Sequence, residues 1–419
     1  MIKWITAYLG TASFDCLGDQ QGVRIIDVRD LVDKPGNQPA AARDKINEAV
    51  ACLKRGEKIV VCCDYGISRS NALAAGILSR FEEIPFNDAI RKVIKATGQE
   101  EIKIEVLSAV RNALEDTARE QQTHETGKRV FLTGASGFIG SALINQLQGK
   151  HEVFSATRDQ IDLNSGSVNL DLFVREHDIN CIVHLANPRI YNNNRAMGES
   201  LVLLKNVLDV CRQNQIKLIY PSGWEVYSGY QSSHLLASET LPPHPKGVYG
   251  ETKYLCELLL EQYRDNYGLE YVLLRSGPVY GGGSEKPKFI FNFLAKAIRD
   301  ETIVTHKYLN GFPTLDLLHI NDLVSALARL IDSDFKGSIH VGSGRALSTN
   351  EVARLIVAMT GSRSSIEHRE INDYAANIVM DCKLARSVFG WQPDVLFEEG
   401  LRRIVETVTP PRAVSSGKE

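Results

Sequence analysis

The sequence predicts an α/β protein in two successive parts: a smaller N-terminal α/β domain, then a doubly wound parallel sheet ending in a small C-terminal lobe. Three observations carry this. The run RVFLTGASGFIGSALINQL, residues 129–147, reads as strand, glycine turn and helix. From there strand-like and helix-like stretches alternate, the pattern of a parallel sheet with helices on both faces. Upstream, GEKIVVCCDYGISRSNALAAGILSRF repeats the strand–loop–helix pattern on its own, and the polar segment REQQTHETGK, without apolar period, separates the two. The boundaries follow: residues 1–118 form the first domain, 119–127 a linker, 128–408 the second domain and 409–419 a disordered tail.

In the first domain, Ile59–Val61 is the expected strand and a helix begins near Ser70. Cys63 and Arg69 bracket the loop between them as C-x-x-x-x-x-R. Such a loop curls its N–H groups around one tetrahedral anion. Arg69 can clamp two oxygens of that anion, and the positive surroundings favour the Cys63 thiolate as a nucleophile. Ser70 can help expel the thiolate by hydrogen bonding. The plainer alternative is a buried cysteine and a surface arginine. Cys62, on the strand, should point away from Cys63 and serve packing. A helix over 105–115 closes the domain.

This stretch resembles the dual-specificity (tyrosine-type) phosphatase family, whose loop reads H-C-x-x-G-x-S-R-S. The likeness extends to Ile5–Thr11, similar to the family's opening strand and turn, and to Phe86–Ile90, similar to the helix after the loop helix. Cys62 stands where the family has histidine. The resemblance implies a phosphorylated substrate and an aspartate on a loop that protonates the leaving group. Asp33 in DVRDLVDKPG is the first choice and Asp30 the second; either can equally be a turn residue or helix cap.

In the second domain each glycine of the turn has a physical task. Gly134 turns the chain off the strand, Gly137 lets the backbone approach a pyrophosphate, and Gly140 lets the helix pack close to the sheet. The helix N-terminus offers N–H groups to the phosphates. Further strands are expected at 151–156, 181–186, 216–220 and 271–274, and ligands bind past the carboxyl ends of such strands. After the fourth of these five strands comes PSGWEVYSG, and then the helix VYGETKYLCELLLEQY. Tyr249 and Lys253 lie four apart on it and share a face. A neighbouring ammonium lowers a phenol's pKa, so the pair can exchange a proton with a carbinol or carbonyl while hydride moves.

This domain resembles the extended short-chain dehydrogenase/reductase family of nucleotide-sugar epimerases, dehydratases and reductases, a Rossmann fold. The likeness covers Gly134–Gly140, Asp162-Leu163, His184-Leu185-Ala186, Tyr249 with Lys253, Arg275–Gly281, Leu317–Leu323 and Phe389–Pro393. It implies a nucleotide-sugar substrate and an NAD(P) cofactor. That cofactor would be held by Gly134, Ser136, Gly137, Phe138, Ile139, Gly140, Arg158, Asp162, Leu163, Leu185, Ala186, Tyr249 and Lys253. Tyr249 and Lys253 would be catalytic, and a homodimer is compatible with it. The family's Ser or Thr is missing: Gly223 stands there, with Ser222 one earlier. Ser222 can take over the hydrogen bond, or another group serves. Glu225 falls where dehydratases and decarboxylases carry an acid, or is a solvated loop carboxylate. Trp224 replaces the dehydratases' aspartate, which leaves epimerase or reductase chemistry. Arg158 at the end of the second strand favours NADP, against the adjacent Asp159.

Composition narrows the rest. A net charge of −3 gives nucleic-acid binding no support. No apolar stretch approaches the ~18 residues of a membrane span. The eight cysteines show neither disulfide-framework nor metal-ligand spacing, which suits a cytoplasmic protein without a metal site. Lys286, Lys288, Lys307 and Arg345 could reach a pyrophosphate in the C-terminal lobe but are read as solvated. The leading reading is a bifunctional enzyme, a phosphatase fused to a nucleotide-sugar oxidoreductase or epimerase. The alternatives are a phosphatase regulated by a non-catalytic NAD(P)-sensing domain, and a first domain that binds anions without turnover.

Overall fold

The computed structural model describes residues 1–18, 22–114, 127–188, 193–283 and 288–408. The expectations for 115–126, 409–419 and Lys286 concern residues outside these ranges.

The N-terminal segment holds a four-stranded sheet, β1 (Lys3–Trp4), β2 (Leu9–Ser13), β3 (Val23–Asp27) and β4 (Lys58–Cys63), in the order β1-β2-β4-β3. Its helices are α1 (Pro39–Lys54), α2 (Arg69–Glu82), α3 (Phe86–Thr97) and α4 (Ile104–Leu114). The opening strand expected over 5–11 is two strands, because Ile5 and Thr6 both donate N–H bonds to Leu9 O and close a turn between them. α2 is alanine-rich and buried through ten residues, since α1 and α4 crowd it. A Cβ on its Gly76 would meet Val110 at 2.6 Å and Ile46 at 2.9 Å.

The chain continues through β5 (Arg129–Thr133), α5 (Phe138–Leu147), β6 (Glu152–Phe154), α6 (Val168–Glu176), β7 (Cys181–His184), α7 (Asn194–Asn214), β8 (Lys217–Gly223), β9 (Leu235–Ala237), α8 (Val248–Tyr267) and β10 (Tyr271–Ser276). The remainder is β11 (Val279–Tyr280), α9 (Lys288–Ile298), β12 (Ile303–Tyr308), β13 (Thr314–Asp316), β14 (Leu318–His319), α10 (Ile320–Asp332), β15 (Gly337–Val341), β16 (Ala346–Ser348), α11 (Thr349–Thr360), β17 (Ile366–Ile371), β18 (Ile378–Met380), α12 (Lys383–Phe389) and α13 (Phe397–Val408).

The main sheet is parallel, six-stranded, in the order β15-β10-β8-β7-β5-β6. The chain after Gly283 therefore does not form a lobe alone: β15 returns to pair with β10, whose backbone groups would otherwise be an open edge. Conversely β9, from earlier in the chain, joins the small sheet β16-β13-β18-β9. Among the described residues no helix is long and apolar enough to cross a membrane.

Compactness divides the chain differently from its linear order. One unit takes 1–125 with 156–179 and 205–216; the other takes 126–155, 180–204 and 217–419. In the first unit, Val168 and Leu172 of α6 join the core built on α2. The buried Asp171 accepts hydrogen bonds from Arg111 at 3.3 Å, Arg175 at 3.1 Å and Asn214 at 2.8 Å. Arg212 pairs with Glu105, and Arg91 with Glu176. α6 and the end of α7 are thus bonded into the same body as the N-terminal sheet, which sequence spacing did not indicate.

Candidate active sites

β4 delivers Cys63 at its end and α2 opens on Arg69, leaving 64–68 as the loop. The loop turns at Gly66, whose φ is +69°, and an added Cβ would strike Ser13 N at 2.5 Å and Ala12 C at 2.6 Å. Only glycine fits there. The Gly66 N–H donates to Cys63 Sγ at 3.2 Å, and Sγ lies 3.3 Å from Ser70 Oγ. Burial pushes the Cys63 thiol up, but bonds from the Ser70 side chain and from the N–H groups of Ser70, Gly66 and Ile67 outweigh it and hold the thiol below its ordinary value. Cys62 faces the other side of the sheet, in a different core cluster, and burial pushes its thiol up to about 11. It is packing, as its alternation implies.

Arg69 is 8% exposed, and both its terminal nitrogens are hydrogen-bonded. Nη1 donates to Leu31 O at 3.0 Å and Arg29 O at 3.3 Å, Nη2 donates to Asp64 Oδ2 at 2.5 Å, and Nε faces Asp33 Oδ2 at 3.3 Å. Asp33 is itself fixed, because its Oδ1 accepts from Ser68 Oγ at 2.6 Å and that hydroxyl accepts from Lys103 N at 3.0 Å. Asp30 instead pairs with Lys45 at 3.2 Å. Sequence reasoning brought Cys63, Arg69, Ser70 and Asp33 together and missed Asp64, the neighbour that occupies the arginine. A cavity of about 460 Å³ opens beside Asp64, lined by Asp27, Arg29, Asp30 and Lys45.

In the second unit the turn after β5 is built by Gly134 at φ +68°, where a Cβ would meet Ala186 N at 2.9 Å and Leu185 O at 3.0 Å. The ends of β5 and β7 are pinned by Thr133, whose Oγ1 accepts from Leu185 N at 3.0 Å and Ala186 N at 3.1 Å and lies 2.8 Å from His184 Nδ1. Gly140 packs α5 onto the turn: its Cβ would lie 2.5 Å from Gly134 O and 2.7 Å from Ala135. Gly134, Ser136 and Gly137 are exposed at the opening of α5, with Phe138 and Ile139 half-buried behind them.

α8 carries Tyr249 and Lys253. Lys253 is buried; its Nζ donates to Pro221 O at 3.1 Å and sits 3.4 Å from the Tyr220 hydroxyl and 5.9 Å from the centre of the Tyr249 ring. Burial holds its pKa below the usual lysine value, with Cys256, Glu225 and Glu257 opposing. Glu225 lies half-buried on the short helical turn after β8, at the start of α8: a Cβ on Gly250 would meet Glu225 O at 2.5 Å. Burial holds the Glu225 carboxyl above the usual carboxylate range, while its own N–H and Lys253 act the other way.

The structure places Ser222 in a buried polar network. Ser222 is buried and donates to Glu257 Oε1 at 2.5 Å, inside a network in which Arg275 binds Glu257 at 2.7 Å and the Tyr227 hydroxyl at 2.7 Å. Alternation along β8 turns residue 222 into this network, so its hydroxyl is already committed. Arg158 and Asp159 are exposed in the first unit, where Asp162 accepts from Asn164 N at 3.0 Å and Leu163 O accepts from Asn206 at 2.6 Å. Lys307 and Arg345 are paired, with Glu370 at 3.2 Å and Glu398 at 2.8 Å.

A parallel sheet with a glycine turn after its first strand is the architecture of dinucleotide-binding α/β proteins, and here it comes with a buried lysine beside a tyrosine on α8. The profile of the NAD dependent epimerase/dehydratase family matches residues 130–342, and the chain belongs to that family. It is 27% identical over 303 residues to a putative UDP-glucose 4-epimerase of Methanocaldococcus jannaschii, covering 66% of this chain and 97% of that one. It is 26% identical to UDP-glucuronic acid decarboxylase 1 of Danio rerio, over 67% of this chain and 72% of the relative. Among solved structures, the Thermus thermophilus UDP-glucose 4-epimerase complex with NAD superposes with a TM-score of 0.58 at 24% identity, covering 66% of this chain and 98% of that one.

Proposed function

We propose that the chain is a bifunctional enzyme: an NAD(P)-dependent nucleotide-sugar epimerase or reductase in residues 128–408, and a cysteine-dependent phosphatase in residues 1–118. The carrying observation is the buried Lys253 beside Tyr249 on the helix that follows β8. The bare backbone of Gly134, Ser136 and Gly137 at the opening of α5 fits the pyrophosphate of a dinucleotide, with Phe138, Ile139 and Gly140 supporting it. Arg158, Asp162 and Leu163 would serve the adenosine end, Leu185 and Ala186 the nicotinamide half, and the exposed Arg158 supports NADP. The cofactor supplies the hydride exchange. Tyr249 passes a proton to or from the sugar oxygen, and Lys253 favours its ionised form and binds the ribose. Nucleotide-sugar substrates are supported by the relatives' names.

In the N-terminal site the Cys63 thiolate attacks phosphorus, the S–P bond forms as the ester P–O bond breaks, and Asp33 gives its proton to the leaving oxygen; water then releases phosphate. The Gly66 N–H on Sγ and the bond to Ser70 support this reading.

The test measures NAD and NADP binding, hydride transfer and sugar isomerisation on UDP-, GDP- and dTDP-sugars, and p-nitrophenyl phosphate hydrolysis. Tyr249→Phe should keep cofactor affinity and lower turnover by roughly 10²–10⁴; Lys253→Met should weaken both. Cys63→Ser and Arg69→Lys should abolish hydrolysis, since lysine lacks the fork. Asp33→Asn should slow it while anion binding persists. Wild-type turnover in Tyr249→Phe, or in Cys63→Ser, sinks the respective half. Gly223 favours one competitor, an NAD(P) sensor controlling the phosphatase, in which nucleotide would alter hydrolysis and Tyr249→Phe would be silent.

A further inference from the structure

Resting on the phosphatase reading, we propose that Asp64 is the specificity-determining residue of the Cys63 loop. Its carboxylate holds the Arg69 nitrogen that a phosphoryl group needs, so the site takes phosphomonoesters without a second anionic group and disfavours polyphosphorylated ones.

The guanidinium presents unequal faces. Nη1 is capped by the carbonyls of Leu31 and Arg29, and Nε faces an aspartate that is anchored through Ser68 to Lys103 N. Nη2 is held by Asp64 alone, at 2.5 Å. The Asp64 side chain is 50% exposed against 10% for Arg69. Among the described residues Arg69 is its one hydrogen-bond partner. An incoming anion therefore reaches Nη2 by turning Asp64 outward, and Asp64 then stands at the mouth as a free negative charge.

The cations around that mouth do not offset it. Arg29 grips Asp27 at 2.7 and 3.0 Å, and Lys45 donates to Asp27 O at 2.6 Å while pairing with Asp30 at 3.2 Å. In the cavity beside the loop, carboxylates outnumber cations. One phosphoryl group is rewarded by Arg69 and the loop N–H groups. A second anionic group on the same substrate meets Asp27, Asp30 and Asp64 in that cavity, where both lining cations, Arg29 and Lys45, are already paired.

A purely structural Asp64 makes the opposite prediction, because losing it would misorient Arg69 and weaken anion binding. The experiment uses the full chain as wild type, Asp64→Asn, Asp64→Ala and Asp30→Asn, with tungstate affinity by calorimetry and kcat/KM on p-nitrophenyl phosphate and inositol hexakisphosphate. Asp64→Asn and Asp64→Ala should bind tungstate about tenfold tighter, the effect of removing one charge at this range. Their kcat/KM should rise more on the hexakisphosphate than on p-nitrophenyl phosphate. Asp30→Asn, which removes a mouth charge without touching Arg69, should gain clearly less. Unchanged or weaker tungstate binding in both Asp64 variants, an unmoved substrate ratio, or an equal gain in Asp30→Asn overturns the inference while wild-type turnover leaves the phosphatase reading standing. If wild type and Asp64→Asn neither bind tungstate nor cleave p-nitrophenyl phosphate, that reading fails and the inference with it.

Discussion

The carboxylate of Glu225 occupies the space that a side chain at Gly223 would need: a Cβ built on residue 223 would fall well inside 3.0 Å of Glu225 Oε2. A side chain at 223 and the Glu225 carboxylate, in its present position, therefore exclude one another. The carboxylate also lies within the electrostatic reach of Lys253.

If that carboxyl meets the reacting sugar oxygen in place of the missing hydroxyl, Glu225→Gln should lower nucleotide-sugar turnover by roughly 10² or more while leaving cofactor binding intact. Gly223→Ser alone should fold but push the Glu225 carboxylate, the flexible end of its side chain, out of place. Gly223→Ser combined with Glu225→Ala should fold normally and recover part of the lost activity. Steady-state kinetics and thermal melts on the three variants decide this; wild-type turnover in Glu225→Gln assigns the carboxylate to the surface.

Ser222 tests the other candidate. Its hydroxyl bonds Glu257, which Arg275 also grips. Ser222→Ala leaves that ion pair in place but removes one donor to a buried carboxylate, a loss of about 1–3 kcal/mol in stability. Turnover per folded molecule should stay within a few-fold of wild type. A large drop in kcat without a change in denaturant midpoint would restore Ser222 to the chemistry.

The parts of the fold that were legible are those whose causes are local. The turn at Gly134 and the close approach at Gly140 follow from three glycines between an apolar run and a helical period, and the Cys63 loop follows in the same way from Gly66. The strand at 181–186 shortened to β7 and that at 216–220 lengthened to β8, both within the same element. What stayed hidden depends on partners far apart in sequence. Asp64 is adjacent to Cys63, yet only the folded path of Leu31 and Asp33 shows how it shares Arg69. Ser222 looked available because Glu257 and Arg275 come from α8 and β10; the spacing of Lys253 and Glu257 on one helix face was the signal that could have found the pair. β15 closing the main sheet, and Asp171 bonding α6 to Arg111, have no local sequence mark at all.

Buried imidazoles set an acid limit. Burial, helped by the charge of Lys253, depresses His184 to about 3, and burial takes His319 and His340 to about 4. In the unfolded chain each titrates near about 6.5. The folded state thus binds fewer protons than the unfolded one between these values. Stability from these groups is complete above pH ~6.5 and is lost as pH falls toward about 3–4. His184→Asn, whose amide can still meet Thr133, should show a shallower fall in melting temperature across that window. Parallel curves for variant and wild type, or an imidazole resonance titrating near pH 6.5, would exclude the assignment.

The two glycines at the start of α5 should separate folding from binding. At Gly140 a methyl would press on Gly134 O at 2.5 Å and on the Ala135 backbone at 2.7 Å, neither of which can yield without lifting α5 off the turn. Gly140→Ala should therefore destabilise the domain by about 1–3 kcal/mol, the usual penalty of overpacking, and lose nucleotide affinity as a consequence. At Gly137 the nearest atom is Gly134 O at 3.2 Å, which a small shift can relieve, and the residue is exposed with φ −78°. Gly137→Ala should melt close to wild type but bind NAD or NADP at least tenfold more weakly, because its methyl projects where the pyrophosphate approaches the backbone. Melting without ligand, then a titration of each nucleotide into both variants, gives the two readings independently. Equal nucleotide affinity in Gly137→Ala and wild type would remove this turn from the cofactor site, whatever Gly140→Ala does to the fold.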